Sequence, residues 1–121
     1  MARRRAGRDA QPVAVLLGDV DRFKSVNDTY GHQAGDVVLR EAARRMRAEV
    51  RPYDAVGRYG GEEFLMVLPG CHGESALVQA ERVREALCAM PFKACGHTLP
   101  VSCSIGVAFR SLPVPADAHT L

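Results

Sequence analysis

An uninterrupted apolar run, Val13-Ala14-Val15-Leu16-Leu17, stops abruptly at Gly18-Asp19. Apolar residues in succession, closed by a carboxylate, read as a strand buried on both faces with an acid at its end. A second run, Phe64 to Leu68, follows Gly60-Gly61-Glu62-Glu63 and is stopped by Pro69-Gly70. A short strand over Ala55 to Arg58 precedes it, so the two form a hairpin with acids at its turn. Between the first strand and this hairpin the period changes. Phe23 and Val26 suit a short helix between Asp21 and Asn27, and Gly31 and Gly35 bracket a connection. Asp36 then stands where a helix N-cap is expected. Val38, Ala42, Ala43 and Met46 give that helix its apolar stripe, and Pro52 lies beyond its end. A further helix is expected over Glu74 to Ala89, with the stripe Leu77, Ala80, Val83, Leu87 and Met90. A short hairpin strand near His97 to Leu99 and a last strand over Val101 to Phe109 close the pattern. The order strand, helix, strand, strand, helix, strand is a split βαβ arrangement. The fold class is therefore α+β, an antiparallel ferredoxin-like sheet with helices packed on one face.

The 121 residues are expected to form a single domain, 1–121, with a core over about 13–109. No apolar run approaches the ~20 residues that span a bilayer. The arginines at 3, 4, 5 and 8 are not followed by an apolar signal core. The formal charge of +2, from 16 basic and 14 acidic residues, selects no class of partner. The terminal arginines read as a solvated run rather than a nucleic-acid surface, and no membrane contact is expected. Cys71, Cys88, Cys95 and Cys103 form no CxxC pair, and they read as reduced thiols of a cytoplasmic protein. Cys103, inside an apolar stretch, reads as a small buried hydrophobe. Walker and Rossmann fingerprints are absent, so ATPase and dehydrogenase readings lack support. No Ser or Cys has visible histidine–acid support for nucleophilic catalysis.

The acids carry the chemistry. A carboxylate at a buried strand end needs a partner. Asp19 fits either a cap or salt bridge, or a metal ligand, and Asp21 fits the same two roles. Glu62 and Glu63 repel one another unless a cation lies between them, and magnesium favours such hard oxygen ligands. They equally fit a solvated turn. Gly60 and Gly61 either let a nucleotide approach or supply positive φ in the turn. The start of the short helix, near Phe23 and Lys24, offers backbone N–H groups to phosphate. Asn27 and Asp36 together can read a guanine edge; alone they read as an Asx turn and a helix cap. His32 reads as a loop or packing residue.

Asp19-Val20-Asp21-Arg22-Phe23-Lys24, Asn27-Asp28-Thr29-Tyr30-Gly31-His32 and Gly35-Asp36 resemble, in order and spacing, the opening signature of GGDEF-type diguanylate cyclase domains. Gly60-Gly61-Glu62-Glu63-Phe64 resembles their name-giving motif, and Ser104-Ile105-Gly106-Val107-Ala108 their late strand. The resemblance implies that Asp19, Glu62 and the Val20 carbonyl bind Mg2+ (or Mn2+). It places Glu63 beside the metals and the attacking hydroxyl. It implies that Asn27 and Asp36 read guanine, and that the Phe23 and Lys24 backbone and the Lys24 side chain hold phosphates. The implied reaction joins two GTP into cyclic di-GMP and two pyrophosphates at a homodimer interface. Arg51-Pro52-Tyr53-Asp54 resembles the family's RxxD inhibitory product site, with Arg82 as accessory arginine; a surface ion pair at a helix end is the other reading of Arg51 and Asp54. The family's Asp-x-Leu-Thr-Gly-Leu-x-Asn-Arg segment and closing helix have no counterpart here, so a chain shortened at both ends, and normally joined to an upstream sensor domain, is expected. The alternative implied by the same residues is a weakly active or inactive module that binds GTP or cyclic di-GMP and signals through a partner.

Overall fold

The computed structural model describes residues 10–113. Its elements are β1 (Ala10–Val20), α1 (Phe23–Tyr30), α2 (His32–Glu49), β2 (Ala55–Arg58), β3 (Glu63–Pro69), α3 (Gly73–Cys88), β4 (Phe92–Ala94), β5 (His97–Leu99) and β6 (Cys103–Pro113). The main sheet has the order β2-β3-β1-β6, and β4 and β5 form a separate hairpin. Every neighbouring pair in the main sheet is antiparallel. It follows that β1 and β2 run parallel to each other with β3 inserted between them, which is the expected split βαβ unit.

The sheet buries one side. Ala14, Leu16 and Val20 of β1 and Phe64, Met66 and Leu68 of β3 are at most 2% exposed. Val38, Leu39, Ala42 and Met46 of α2 and Ala76, Ala80, Val83 and Leu87 of α3 complete this core. Each large apolar side chain withdrawn in this way stabilises the fold by about 1.5–3 kcal/mol. Gly18 continues the β1 row, and the methyl ends of Met46 and Met66 approach the space a Cβ would occupy. The odd-numbered residues of β1 point the other way. Val13, Val15 and Asp19 are half-buried and Leu17 is 38% exposed. The expectation of a strand buried on both faces is therefore corrected: the apolar run fills one face fully and the other in part.

Three further expectations change. The long helix begins at His32, with Gly31 as its N-cap, so Asp36 lies inside the helix and caps nothing. Gly31 (φ 94°) alone separates α1 from α2, and its left-handed-side backbone is one that side chains resist. Gly35 is a buried residue of α2 rather than part of a connection. On α3, Leu77 is 59% exposed, and Met90 beyond it is 66% exposed; Ala76 takes the inward position instead. The four cysteines are free, with Cys71 and Cys103 buried. Burial pushes the Cys103 thiol up to about 11, which suits its reading as an inert core residue.

Candidate active site

The acids meet where β1 and β3 end together. Asp19 and Glu63 are direct register partners, and Asp19 faces Ser104 on its other side. Side chains directly across an antiparallel pair share a face and stand about 5 Å apart at Cβ. The Val20 N–H donates to the Glu62 carbonyl at 3.2 Å, tying the hairpin turn to the end of β1. The turn itself is held by the Tyr59 N–H to the Glu63 carbonyl at 2.8 Å and by Arg58 Nη2 to the Gly61 carbonyl at 2.6 Å. Neither Gly60 nor Gly61 has positive φ, which corrects the conformational reading of this pair. A Cβ on Gly60 would lie 3.2 Å from Glu63 Oε1, so that glycine keeps space beside the carboxylate.

Two buried side-chain oxygens have no protein partner among the described residues: Asp19 Oδ1 and Asn27 Oδ1. Buried polar atoms are nearly always satisfied, so two orphans in one region call for a ligand or water. The Asn27 amide lies against Gly35, where an added Cβ would overlap Oδ1 outright. This brings the amide beside Gly35, which the exposed Asp36 follows in the chain. Phe23 packs its ring over the same glycine, at 3.1 Å from the Cβ position. Residues 19–23 thus link the acidic end to the amide end.

Between them the chain turns sharply. Arg22 adopts φ 56°, a left-handed conformation unusual for a side-chain-bearing residue. Val26 N–H is the first within α1 to bond back, to the Arg22 carbonyl, which leaves the Phe23, Lys24 and Ser25 N–H groups outside the helical ladder. Lys24 Nζ bonds Asp28 Oδ2 at 3.1 Å, with both side chains mostly in solvent. Exposed pairs of this kind contribute only ~0.2–1 kcal/mol, so Lys24 is readily diverted to a stronger anion. Asp21, whose two roles were open in the sequence, accepts from Ser102 Oγ at 2.8 Å and from Ser104 Oγ at 2.7 Å.

The RxxD segment forms an ion pair. Arg51 donates from Nε to Asp54 Oδ2 at 2.9 Å and from Nη2 to Asp54 Oδ1 at 2.8 Å. The Arg51 N–H also donates to Asp54 Oδ2, and Nη2 reaches the Pro69 carbonyl. The Asp54 side chain is 1% exposed and that of Arg51 40%. Burial alone would push the Asp54 carboxyl up, but the Arg51 hydrogen bonds outweigh it and hold it below its ordinary value. Arg51 also lies over the Tyr53 ring. Arg82 is exposed on α3 and lines a depression of about 330 Å³ with Glu74, Ser75, Val78 and Gln79. Gln79, in the same depression, donates to the Glu49 carbonyl, two residues before Arg51.

Among the described residues, no group of three or more His, Cys, Asp or Glu side chains forms a metal cage. The acidic end still fits a hard cation. Asp19 Oδ1 is buried and unpartnered, and oxygen donors completed by substrate phosphates suit magnesium. Among the described residues, no helix is long and apolar enough to cross a membrane.

The family model described as diguanylate cyclase, GGDEF domain, matches residues 1–120. Diguanylate cyclase A of Treponema denticola is 39% identical over 103 residues, which is 85% of this chain and 28% of that protein. The response regulator PleD of Caulobacter vibrioides is 45% identical over 107 residues, 87% of this chain and 24% of its own length. The present chain thus spans only about a quarter of these curated relatives. Among solved structures, diguanylate cyclase SiaD of Pseudomonas aeruginosa, in complex with its activator SiaC, gives a TM-score of 0.76 at 41% identity, covering 91% of this chain and 42% of its own. The GGDEF domain of DgcB from Caulobacter crescentus, in complex with c-di-GMP, gives 0.76 at 32% identity, covering 83% and 60%. GGDEF domains generally use Mg2+ for catalysis.

Proposed function

This chain belongs to the GGDEF family of diguanylate cyclases, and we propose on that footing that it joins two GTP molecules into cyclic di-GMP and two pyrophosphates across a homodimer. The observation that carries the reading is the pair of buried, unpartnered oxygens, Asp19 Oδ1 and Asn27 Oδ1, at the two ends of one continuous corner. One end suits a divalent cation and the other a hydrogen-bonding base.

Asp19, Glu62 and the Val20 carbonyl would hold Mg2+ or Mn2+, with Glu63 at its side. The bound metal supplies charge to the α-phosphate oxygens and lowers the pKa of the attacking hydroxyl. Asn27 and Asp36 bind the guanine, the amide through donors and acceptors and the carboxylate through the ring N–H and exocyclic amine. The Phe23 and Lys24 N–H groups and the Lys24 ammonium hold the terminal phosphates at the start of α1. The 3′-hydroxyl of each GTP attacks the α-phosphorus of the other. A P–O bond forms, the bond from the α-phosphorus to the β-bridging oxygen breaks, and pyrophosphate leaves with that oxygen. Glu63 accepts the hydroxyl proton. One protomer presents one GTP, so a second copy supplies the other.

Arg51 forms the inhibitory product site with Arg82, and Asp54 holds the Arg51 guanidinium in place. Support for this is the two-bond Arg51–Asp54 fork and the exposed face that Arg51 keeps beside it. An upstream sensor domain would set the encounter of the two copies, in the cytoplasm. Incubation with GTP and Mg2+, followed by separation of the nucleotides, tests the reading. Cyclic di-GMP should appear from the native chain and not with ATP as substrate. Hydrolysis of GTP to GDP alone would contradict it.

A further inference from the structure

The corner between β1 and α1 is tied on both sides, and only one tie belongs to the acidic hairpin. On the hairpin side the Val20 N–H bonds the Glu62 carbonyl. On the other side Asp21 makes three bonds to the start of β6. Its N–H donates to the Ser102 carbonyl at 2.9 Å, and its two carboxylate oxygens accept from the Ser102 and Ser104 hydroxyls. The next residue, Arg22, is held in a left-handed conformation that costs of order 1 kcal/mol and persists only where neighbours enforce it. Asp19, two residues before Asp21, is flanked in register by Glu63 and by Ser104 itself.

We propose that Asp21, Ser102 and Ser104 act as positioning residues for the divalent cation, fixing the Asp19–Val20 end of β1 by tying the following corner to β6. The proposal rests on the cyclase reading of the same site. Asp21 is then not a metal ligand. Both of its oxygens are engaged by hydroxyl donors, and its work is to stop the corner relaxing out of the left-handed turn. If the tie is cut, the Arg22 turn opens, and the Val20 carbonyl and the Asp19 carboxylate lose their fixed spacing. Guanine recognition lies at the far end, on Asn27 and Asp36, and does not pass through this tie. The expected signature is a loss of metal affinity that leaves base recognition nearly intact.

The test is calorimetric titration of Mn2+ into the chain in the presence of a GTP analogue with a methylene bridge between the α- and β-phosphates. Binding of guanosine, which reports on the base alone because it lacks the phosphates assigned to Phe23 and Lys24, is measured in EDTA alongside. Two variants remove the tie from opposite ends: Asp21→Ala, and Ser102→Ala together with Ser104→Ala. Both serines are exposed, so the double variant keeps the core untouched. Supporting partners of metal sites typically carry about 10–100-fold in affinity. Mn2+ binding should therefore weaken about tenfold or more in both variants, while guanosine binding in EDTA stays within roughly threefold. Asp21→Asn should recover part of the loss, because its amide oxygen accepts from one serine and its NH2 donates to the other. Mn2+ affinities within about twofold of the native value in both variants would overturn the proposal. So would metal and guanosine affinities that fall together, which marks a general structural role. A native chain that binds guanosine but no Mn2+ refutes the metal reading itself, a result distinct from either.

Discussion

Replacing Gly35 by alanine separates the stability of this fold from the recognition of its ligand. Gly35 is a buried residue inside α2, and in a helix interior Gly→Ala ordinarily stabilises by about 0.8–1 kcal/mol. Here the new methyl would overlap Asn27 Oδ1 and approach Phe23 Cζ to 3.1 Å. Overpacking of this kind costs ~1–3 kcal/mol when nothing can move. The atom in the way, however, is the far end of a side chain, and rotation of the Asn27 amide relieves most of the overlap. The two effects oppose one another, so net stability should stay within about 1 kcal/mol of the native chain. Binding has no such compensation. The rotated amide no longer faces the base, and loss of one or two hydrogen bonds at ~0.5–1.5 kcal/mol each weakens GTP binding by about 2–160-fold. Calorimetric titration with GTP, beside thermal unfolding, measures both. Asn27→Ala should show a similar loss, and the double variant should lose little more, because both changes remove one interaction. Native GTP affinity in Gly35→Ala would refute the reasoning. So would additive losses in the double variant.

Three other outcomes follow from the geometry. Arg51→Ala leaves the Asp54 carboxylate buried without its partner, and should destabilise by about 1–3 kcal/mol in urea unfolding while abolishing calorimetric cyclic di-GMP binding; Asp54→Asn should weaken product binding less, because it disturbs only the placement of Arg51. Arg45 is a purely structural counterpart: its guanidinium donates to the carbonyl of Leu87 in the last turn of α3 and to those of Met90 and Pro91 beyond it, and lies 4.0 Å over the Phe92 ring. Arg45→Met should therefore cost about 2–4 kcal/mol, read as a lower unfolding midpoint, with GTP binding unchanged. Glu41, held by hydrogen bonds from Arg44 and Arg45, has its carboxyl lowered from 4.5 to about 2. Because the folded value is the lower one, its contribution is fully present above pH 4.5 and lost as pH falls toward 2. Glu41→Gln should flatten the acid limb of stability in that window, measured by the unfolding midpoint against pH.

The parts of this protein legible in its sequence are those fixed by local pattern. The runs at 13–17 and 64–68 locate the two central strands, and the split βαβ order fixes which strand lies between which. Asp19 and Glu63 stand out as acids at the ends of apolar runs, whereas Asn27 and Asp36 are singled out only by their resemblance to the family's motif. What escaped depends on long-range register or on backbone conformation. Asp21 meets Ser102 and Ser104 only because β6 pairs with β1, a contact between residues about eighty positions apart that no local pattern carries. The one available signal was a pair of serines opening the last strand. Gly35 read as a loop residue because glycine disfavours helices; its purpose is to admit the Asn27 amide, which requires the two helices to be seen together. Ala76 turns inward in place of Leu77 at the first turn only, since Ala80, Val83 and Leu87 of the expected stripe are buried. Small and large apolar residues side by side cannot resolve such a shift.

The central claim is that two copies of this chain, each presenting one GTP, form cyclic di-GMP with Glu63 beside the metal. Its most direct test is the initial rate of cyclic di-GMP formation from GTP and Mg2+ as the concentration of the chain is raised, for the native protein and for Glu63→Gln. The account predicts a rate per chain that climbs with concentration before levelling, and no product from the variant at any concentration. A rate per chain independent of concentration down to the lowest level assayed, or an active Glu63→Gln, would contradict it.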